Sequence, residues 1–235
     1  SPQWSPDGKS VAYLRSTSDA NYIMYDQPIL CVVPATGGES LLLSKSLDRP
    51  VSNPRWNKDG KNITAVVTDD CERYISTFDV KNGMMKKVIG GNRSFGSLEF
   101  HPDGSWVTSM SDSQLPSEFY ALKDGNLRRL TSIQDDFVAG LSLATVEKFS
   151  STSKDGVVVS NLLFLPASAK KEKLPVIFYI HGGPVGQDDF GFDLTRQMLA
   201  AKGYAVIAVN YRGSNGRGID FCKSIYADWG NKEVL

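Results

Sequence analysis

Hydrophobic positions change their rhythm part-way along the chain. In the first stretch they alternate with polar ones in short runs, such as Val11-Ala12-Tyr13-Leu14 and Ile63-Thr64-Ala65-Val66-Val67, as half-buried strands do. Later the apolar runs are unbroken: Leu174-Pro175-Val176-Ile177-Phe178-Tyr179-Ile180 and Tyr204-Ala205-Val206-Ile207-Ala208-Val209-Asn210. Runs of that kind predict strands buried on both faces, as in a parallel sheet. Between them, residues 192–202 place Leu194, Met198 and Leu199 at helical spacing, and Gly203 follows as a stop. Strand, helix and strand predict a βαβ unit.

The alternating region is also periodic. Trp4-Ser5-Pro6-Asp7-Gly8-Lys9, Trp56-Asn57-Lys58-Asp59-Gly60-Lys61 and Phe100-His101-Pro102-Asp103-Gly104-Ser105 share an aromatic residue followed by an Asp-Gly turn, with the aromatics 52 and then 44 residues apart (56 − 4 and 100 − 56). Each copy runs into a strand. A second hairpin follows, punctuated by Gly37-Gly38, Asn82-Gly83 or Asp124-Gly125. Two hairpins per repeat predict four-stranded propeller blades, with a β-sandwich as the alternative. About three blades cannot close a ring that needs about 4–8, so further blades are expected before Ser1. The repeat ends near Leu130-Thr131, and Ile133 to Gly140 reads as the passage to a second domain. The predicted division is residues 1–140, a partial β-propeller, and 141–235, an α/β portion. Val146 to Phe149 and Val157 to Leu165 bracket Lys154-Asp155-Gly156 as a hairpin, and Ala167 to Lys173 reads as an exposed loop.

Composition narrows the partners. Lys plus Arg equals Asp plus Glu at 26 each, which argues against nucleic acid or an anionic membrane as a partner. Cys31, Cys71 and Cys222 are widely spaced, so neither a disulfide framework nor a zinc site is expected. No apolar run reaches the ~20 residues that span a bilayer, and the N-terminus lacks a charged-then-apolar signal segment. With the chain starting inside a repeat, its compartment is left open.

The sharpest chemistry lies at the end of the first continuous run, in His181-Gly182-Gly183-Pro184. Two glycines there let the backbone turn with its N–H groups exposed, as in the oxyanion loops of α/β-hydrolases. The glycine-rich Tyr211-Arg212-Gly213-Ser214-Asn215-Gly216-Arg217-Gly218 after the second run matches neither nucleotide-binding glycine motif. Phe221 and Ile225 share a helical face that Asp228-Trp229-Gly230 would close.

Taken together, His181-Gly182-Gly183-Pro184, Asn210-Tyr211-Arg212-Gly213-Ser214, Asp228-Trp229-Gly230 and the repeats resemble the prolyl oligopeptidase family, nearest its acylaminoacyl-peptidase and dipeptidyl-aminopeptidase branches. The resemblance implies a β-propeller before an α/β-hydrolase domain, and hydrolysis of short peptides by a Ser-Asp-His triad without cofactor or metal. It also implies that the chain is an internal section. No Gly-x-Ser-x-Gly elbow occurs in it, so the triad is expected beyond Leu235 and the section alone should be inactive. Gly91 to Gly96 has the wrong spacing and is a decoy.

On this resemblance the backbone N–H of Gly183 is the oxyanion donor, a contribution worth about 10²–10³ in turnover in well-studied hydrolases. Gly182 supplies the turn and His181 braces the loop. His181 is not the general base, because the triad histidine follows the nucleophile and acid in α/β-hydrolases. His101 reads as a turn residue. Arg212 is either a substrate-binding cation or half of a buried pair with Asp188, Asp189 or Asp228. Asp188-Asp189 reads as a solvated loop rather than a metal site. Two other functions fit less of the chain: a propeller-based binding or scaffold module, and an esterase of the same fold.

Overall fold

The computed structural model describes residues 2–16, 24–167 and 173–234. Strands β1 (Gln3–Trp4), β2 (Ser10–Arg15), β3 (Ile29–Pro34) and β4 (Leu41–Leu42) form one antiparallel sheet in chain order. Strands β5 (Val51–Trp56), β6 (Asn62–Asp69), β7 (Glu72–Asp79) and β8 (Met85–Ile89) form a second array of the same kind. A third comprises β9 (Arg93–Phe100), β10 (Trp106–Asp112), β11 (Glu118–Lys123) and β12 (Asn126–Arg129), joined to the second by a one-residue parallel bridge, Arg73 to Ser94.

The sequence repeat has a local cause. Trp4, Trp56 and Phe100 each end the first strand of an array. The aspartate of each following turn accepts from a backbone N–H two residues on: Asp7 from Lys9 at 3.0 Å, Asp59 from Lys61 at 2.8 Å and Asp103 from Ser105 at 2.8 Å. Such turns mimic the backbone. They place Gly8, Gly60 and Gly104 at φ 70°, 63° and 88°, a left-handed region that glycine enters without steric cost. Neighbouring arrays then pack on one another. Ala12, Leu30, Val51, Trp56 and Phe78 bury one interface, and Val66, Ile75, Phe95, Leu98 and Leu122 the next. The Trp56 indole N–H reaches back to the Gln3 carbonyl at 3.0 Å.

A short helix, α1 (Asp135–Ala139), occupies the passage to the second part. Beyond it, β13 (Thr145–Thr152) and β14 (Val158–Leu165) make the expected hairpin around Lys154-Asp155-Gly156. Strand β15 (Val176–Tyr179), helix α2 (Leu194–Ala201) and strand β16 (Ala205–Asn210) follow, and the sheet order is β13-β14-β16-β15 with β15 parallel to β16. The βαβ unit read from the apolar runs is therefore present. Helix α3 (Ile219–Lys223) completes the elements. Most of the loop read at 167–173 lies outside the described residues.

Three expectations need correction. Strand β15 is not buried on both faces: it is the edge of its sheet, with Phe178 65% exposed. Helix α2 turns Leu194 and Met198 outward and buries Arg196, Gln197 and Ala200 instead. The reason is where the helix lands. Gln197 accepts from the Ala144 N–H at 2.7 Å and donates to the Ser113 carbonyl at 2.7 Å, partnering backbone groups that water does not reach freely. Helix α3 ends at Lys223, so Asp228-Trp229-Gly230 lies in the turns beyond it rather than at its close.

The first and second parts are interlocked. The turn between β6 and β7 carries Asp70 and Cys71 into the α/β part, where Cys71 is fully buried among Leu162, Phe164, Phe190 and Val206. Its carbonyl accepts from the Phe190 N–H at 2.9 Å, and the Asp70 N–H donates to the Gly216 carbonyl at 3.0 Å.

Candidate functional site

The loop that follows β15 is held on both sides of its glycines by the segment that follows β16. On the upstream side, the Tyr211 hydroxyl donates to the His181 carbonyl at 2.8 Å, and the two rings stack with centroids 4.7 Å apart. His181 Nε2 lies 3.0 Å from the Ser214 hydroxyl, and its Nδ1 lies 3.0 Å from the Gly182 carbonyl. On the downstream side, the Asn215 N–H donates to the Gly186 carbonyl at 2.8 Å. Asn210 then pairs with both backbone groups of Asp188, accepting from its N–H at 2.7 Å and donating to its carbonyl at 2.9 Å.

Gly183 lies between these two sets of bonds. It adopts φ 140°, where a Cβ would stand 2.7 Å from the Val185 nitrogen, so no L side chain is accommodated without strain. Its backbone is exposed, and no acceptor takes up its N–H among the described residues. Gly182 is likewise exposed, with open space where a side chain would stand. Gly183 and Pro184 line a cavity of about 370 Å³ whose other walls include Ile180, Val209, Tyr211, Ile225 and Trp229. An unpaired donor at the rim of an apolar cavity suits an oxygen that gains negative charge, since a low-dielectric setting strengthens the bond.

A histidine beside a serine hydroxyl also has the form of an activated nucleophile. Here burial excludes it. Ser214 is fully buried, so no substrate carbonyl can approach its oxygen. His101 lies in its repeat turn, exposed, 3.0 Å from Asp103.

Arg212 is buried and does form an ion pair, but with an exposed residue that sequence reading did not consider. Its guanidinium meets Asp155 in the β13–β14 turn. The Ser153 hydroxyl and then Arg212 hold the Asp155 carboxyl down at about 2. The other candidate partners are engaged elsewhere. Asp189 accepts from the Ser94 hydroxyl at 2.9 Å, and Asp228 from Asn231 at 3.0 Å. Asp188 pairs with Arg196, which lies over the rings of Phe164 and Tyr179. Asp188 is thus a buried anion and not part of a solvated loop; burial raises its pKa, with Arg196 opposing.

Sequence reasoning passed over Asn210, Arg196 and Cys71 as contributors to this site. Asn210 carried a signal, a lone amide closing an otherwise apolar strand. Cys71 carried none, because a hairpin turn does not show what it inserts into.

Comparison with known proteins bears on the same residues. The description of the Prolyl oligopeptidase family matches residues 190–235. An uncharacterized peptidase of Bacillus subtilis, YuxL, is 31% identical over 183 residues, covering 77% of this chain and 28% of that protein. Dipeptidyl-peptidase 5 of Porphyromonas gingivalis is 24% identical over 240 residues, covering 99% of this chain and 34% of its own. Among solved structures, the acylaminoacyl peptidase of Pyrococcus horikoshii superposes with a TM-score of 0.82 at 22% identity, over 97% of this chain and 35% of that one. The two proteins share a fold across the whole described chain, which spans about a third of the length of these relatives. The matched residues 190–235, which hold helix α2, strand β16 and the segment after it, place this section of the chain in the prolyl oligopeptidase family.

Proposed function

We propose that these 235 residues are a section of a longer serine peptidase that hydrolyses short peptides through an acyl-enzyme. In this reading residues 1–140 are three blades of a propeller that limits access to the site, and residues 141–235 are the first portion of an α/β-hydrolase domain. The observation that carries it is the free N–H of Gly183, poised between two bonded flanks at the rim of an apolar cavity.

The chemistry assigned to this chain is binding and charge stabilisation. When a serine oxygen adds to the scissile carbonyl, the carbonyl oxygen becomes an oxyanion, and the Gly183 N–H donates to it. Collapse of that adduct expels the amine and leaves the acyl-enzyme, and the same donor serves the second oxyanion, formed when water adds to the ester carbonyl. Gly182 provides the turn and His181 braces it through Ser214 and Tyr211. The serine, acid and base are assigned to residues outside these 235. Arg212, engaged by Asp155, holds the hairpin turn against the segment after β16 and is not assigned to substrate.

The test is labelling with a fluorophosphonate probe alongside chromogenic peptide substrates. The protein translated from the complete reading frame should label at one serine and turn over, and the 235-residue chain should do neither. Specific labelling of a serine within the 235 residues overturns the reading.

A further inference from the structure

The placement of Gly183 depends on a residue that touches no part of the cavity. Asn210, 2% exposed, uses its whole amide. Its oxygen accepts from the Asp188 N–H at 2.7 Å, while its nitrogen donates to the Asp188 carbonyl at 2.9 Å and to the Cys71 sulfur at 3.1 Å. One acceptor and two donors in that layout are offered by a primary amide and not by a carboxylate or hydroxyl. Arg196 holds the Asp188 side chain from the other side.

Cys71 belongs to the turn of the second array, which is a guest in the α/β part. Asp70 and Cys71 both adopt positive φ, 27° and 74°, and the turn is fastened by Phe190, Gly216, Gln187 and Lys148. Residue 71 therefore bonds at once to the strand end at 210 and to the backbone of Phe190, where the Gly183 loop comes to its end.

From this we propose that Asn210 is the positioning residue of the loop that carries Gly183, and that it ties the placement of the Gly183 N–H to the seating of the Asp70–Cys71 turn. Loss of the seat frees one amide proton of Asn210 and loosens the flank at Asp188. The loop then keeps its bonds at His181 and at Gly186 but loses its hold at Asp188, and the donor no longer has one position. As a statement about catalysis this rests on the function proposed above; as a statement about coupling it does not.

Hydrogen exchange on the protein translated from the complete reading frame tests the coupling without any substrate. In Asn210→Leu and in Cys71→Ala, peptides covering residues 182–190 should exchange about tenfold faster, with protection of the β13–β14 hairpin unchanged. Unchanged exchange at 182–190 in either variant overturns the proposal. Should Asn210→Leu lose protection throughout the sheet, Cys71→Ala, which deletes one buried sulfur, decides alone. A kinetic arm uses the protein from the complete reading frame. There Cys71→Ala should lower kcat about 10- to 100-fold with KM within about twofold, because a displaced donor weakens transition-state binding more than substrate binding. Faster exchange with an unaltered kcat upholds the coupling and removes Gly183 from the donor role, which separates the two failures.

Discussion

The Arg196 guanidinium lies on the Asp188 carboxylate with both side chains nearly sealed from solvent, beside the rings of Phe164 and Tyr179. A pair in that setting is costly to break from one side, because the surviving charge stays buried without its counterion. Asp188→Asn and Arg196→Met should each destabilise the chain by about 3–5 kcal/mol in urea unfolding. The double variant Asp188→Asn, Arg196→Met should lose less than the sum, since no lone charge remains. Strict additivity of the two losses would show that the pair does not act as a unit.

Gly213 presents a steric case. At φ 102° a Cβ would stand 2.4 Å from Ile225 Cδ1 and 3.1 Å from Pro184 Cβ. Gly213→Ala combines left-handed strain with overpacking, and should cost roughly 2–5 kcal/mol by the same unfolding measurement. Gly8→Ala, with open space around its Cβ, should cost only the backbone part, of order 1 kcal/mol.

Acid titration reads the Arg212–Asp155 contact. The carboxyl of Asp155 is lowered from 3.8 to about 2, so the stability it contributes is present above pH 3.8 and is lost as pH falls through about 2. Carboxyl-detected NMR should place the Asp155 midpoint near that lower value. In Arg212→Met the midpoint should rise and yet stay below 3.8, because the Ser153 hydroxyl still donates to Asp155 at 2.5 Å. An unmoved midpoint would mean that Arg212 does not sense this carboxylate.

All three thiols are buried, and burial raises each, Cys71 and Cys222 to about 11. Thiolate is the reactive form, so the native chain at pH 8 should resist a colourimetric disulfide reagent, and three equivalents should react in urea. Rapid modification of Cys71 in the native chain would show that its turn leaves the α/β part.

Lys148 to Asp70 is a different kind of contact. Both side chains are about one-third exposed, at 34% and 37%, and solvent screens them. Lys148→Ala should alter stability by under about 1 kcal/mol, less than loss of the buried pair at Asp188. A loss of several kcal/mol would mark this lysine as a principal fastener of the β6–β7 turn.

What could be read from the amino acids was local. The Asp-Gly turns at Asp7, Asp59 and Asp103 carry their own hydrogen bonds, so the arrays they start were visible without any knowledge of what they pack on. The apolar runs ending at Ile180 and Asn210 likewise announced adjacent parallel strands. Apolar runs do not reveal coverage, however, and β15 proved to be an edge with an open face. The inward face of α2 was hidden for a related reason. Gln197 and Arg196 turn inward because Ser113, Ala144 and Asp188 need partners, and those residues lie 84, 53 and 8 positions away. The partner of Arg212 was misplaced because Asp155 sits in a turn whose proximity depends on β14 lying beside β16.

The bond between Cys71 and Asn210 spans 139 positions of chain. Translation at about 5–20 residues per second takes roughly 7–28 s to cover such a distance. For that interval the β6–β7 hairpin can be complete on the ribosome while its turn still displays Cys71 without the pocket that will receive it. The nascent chain therefore passes through a window in which a thiol destined for burial, set in an otherwise acidic turn, is open to chaperones or to a neighbouring copy, and the window closes only when β16 has emerged.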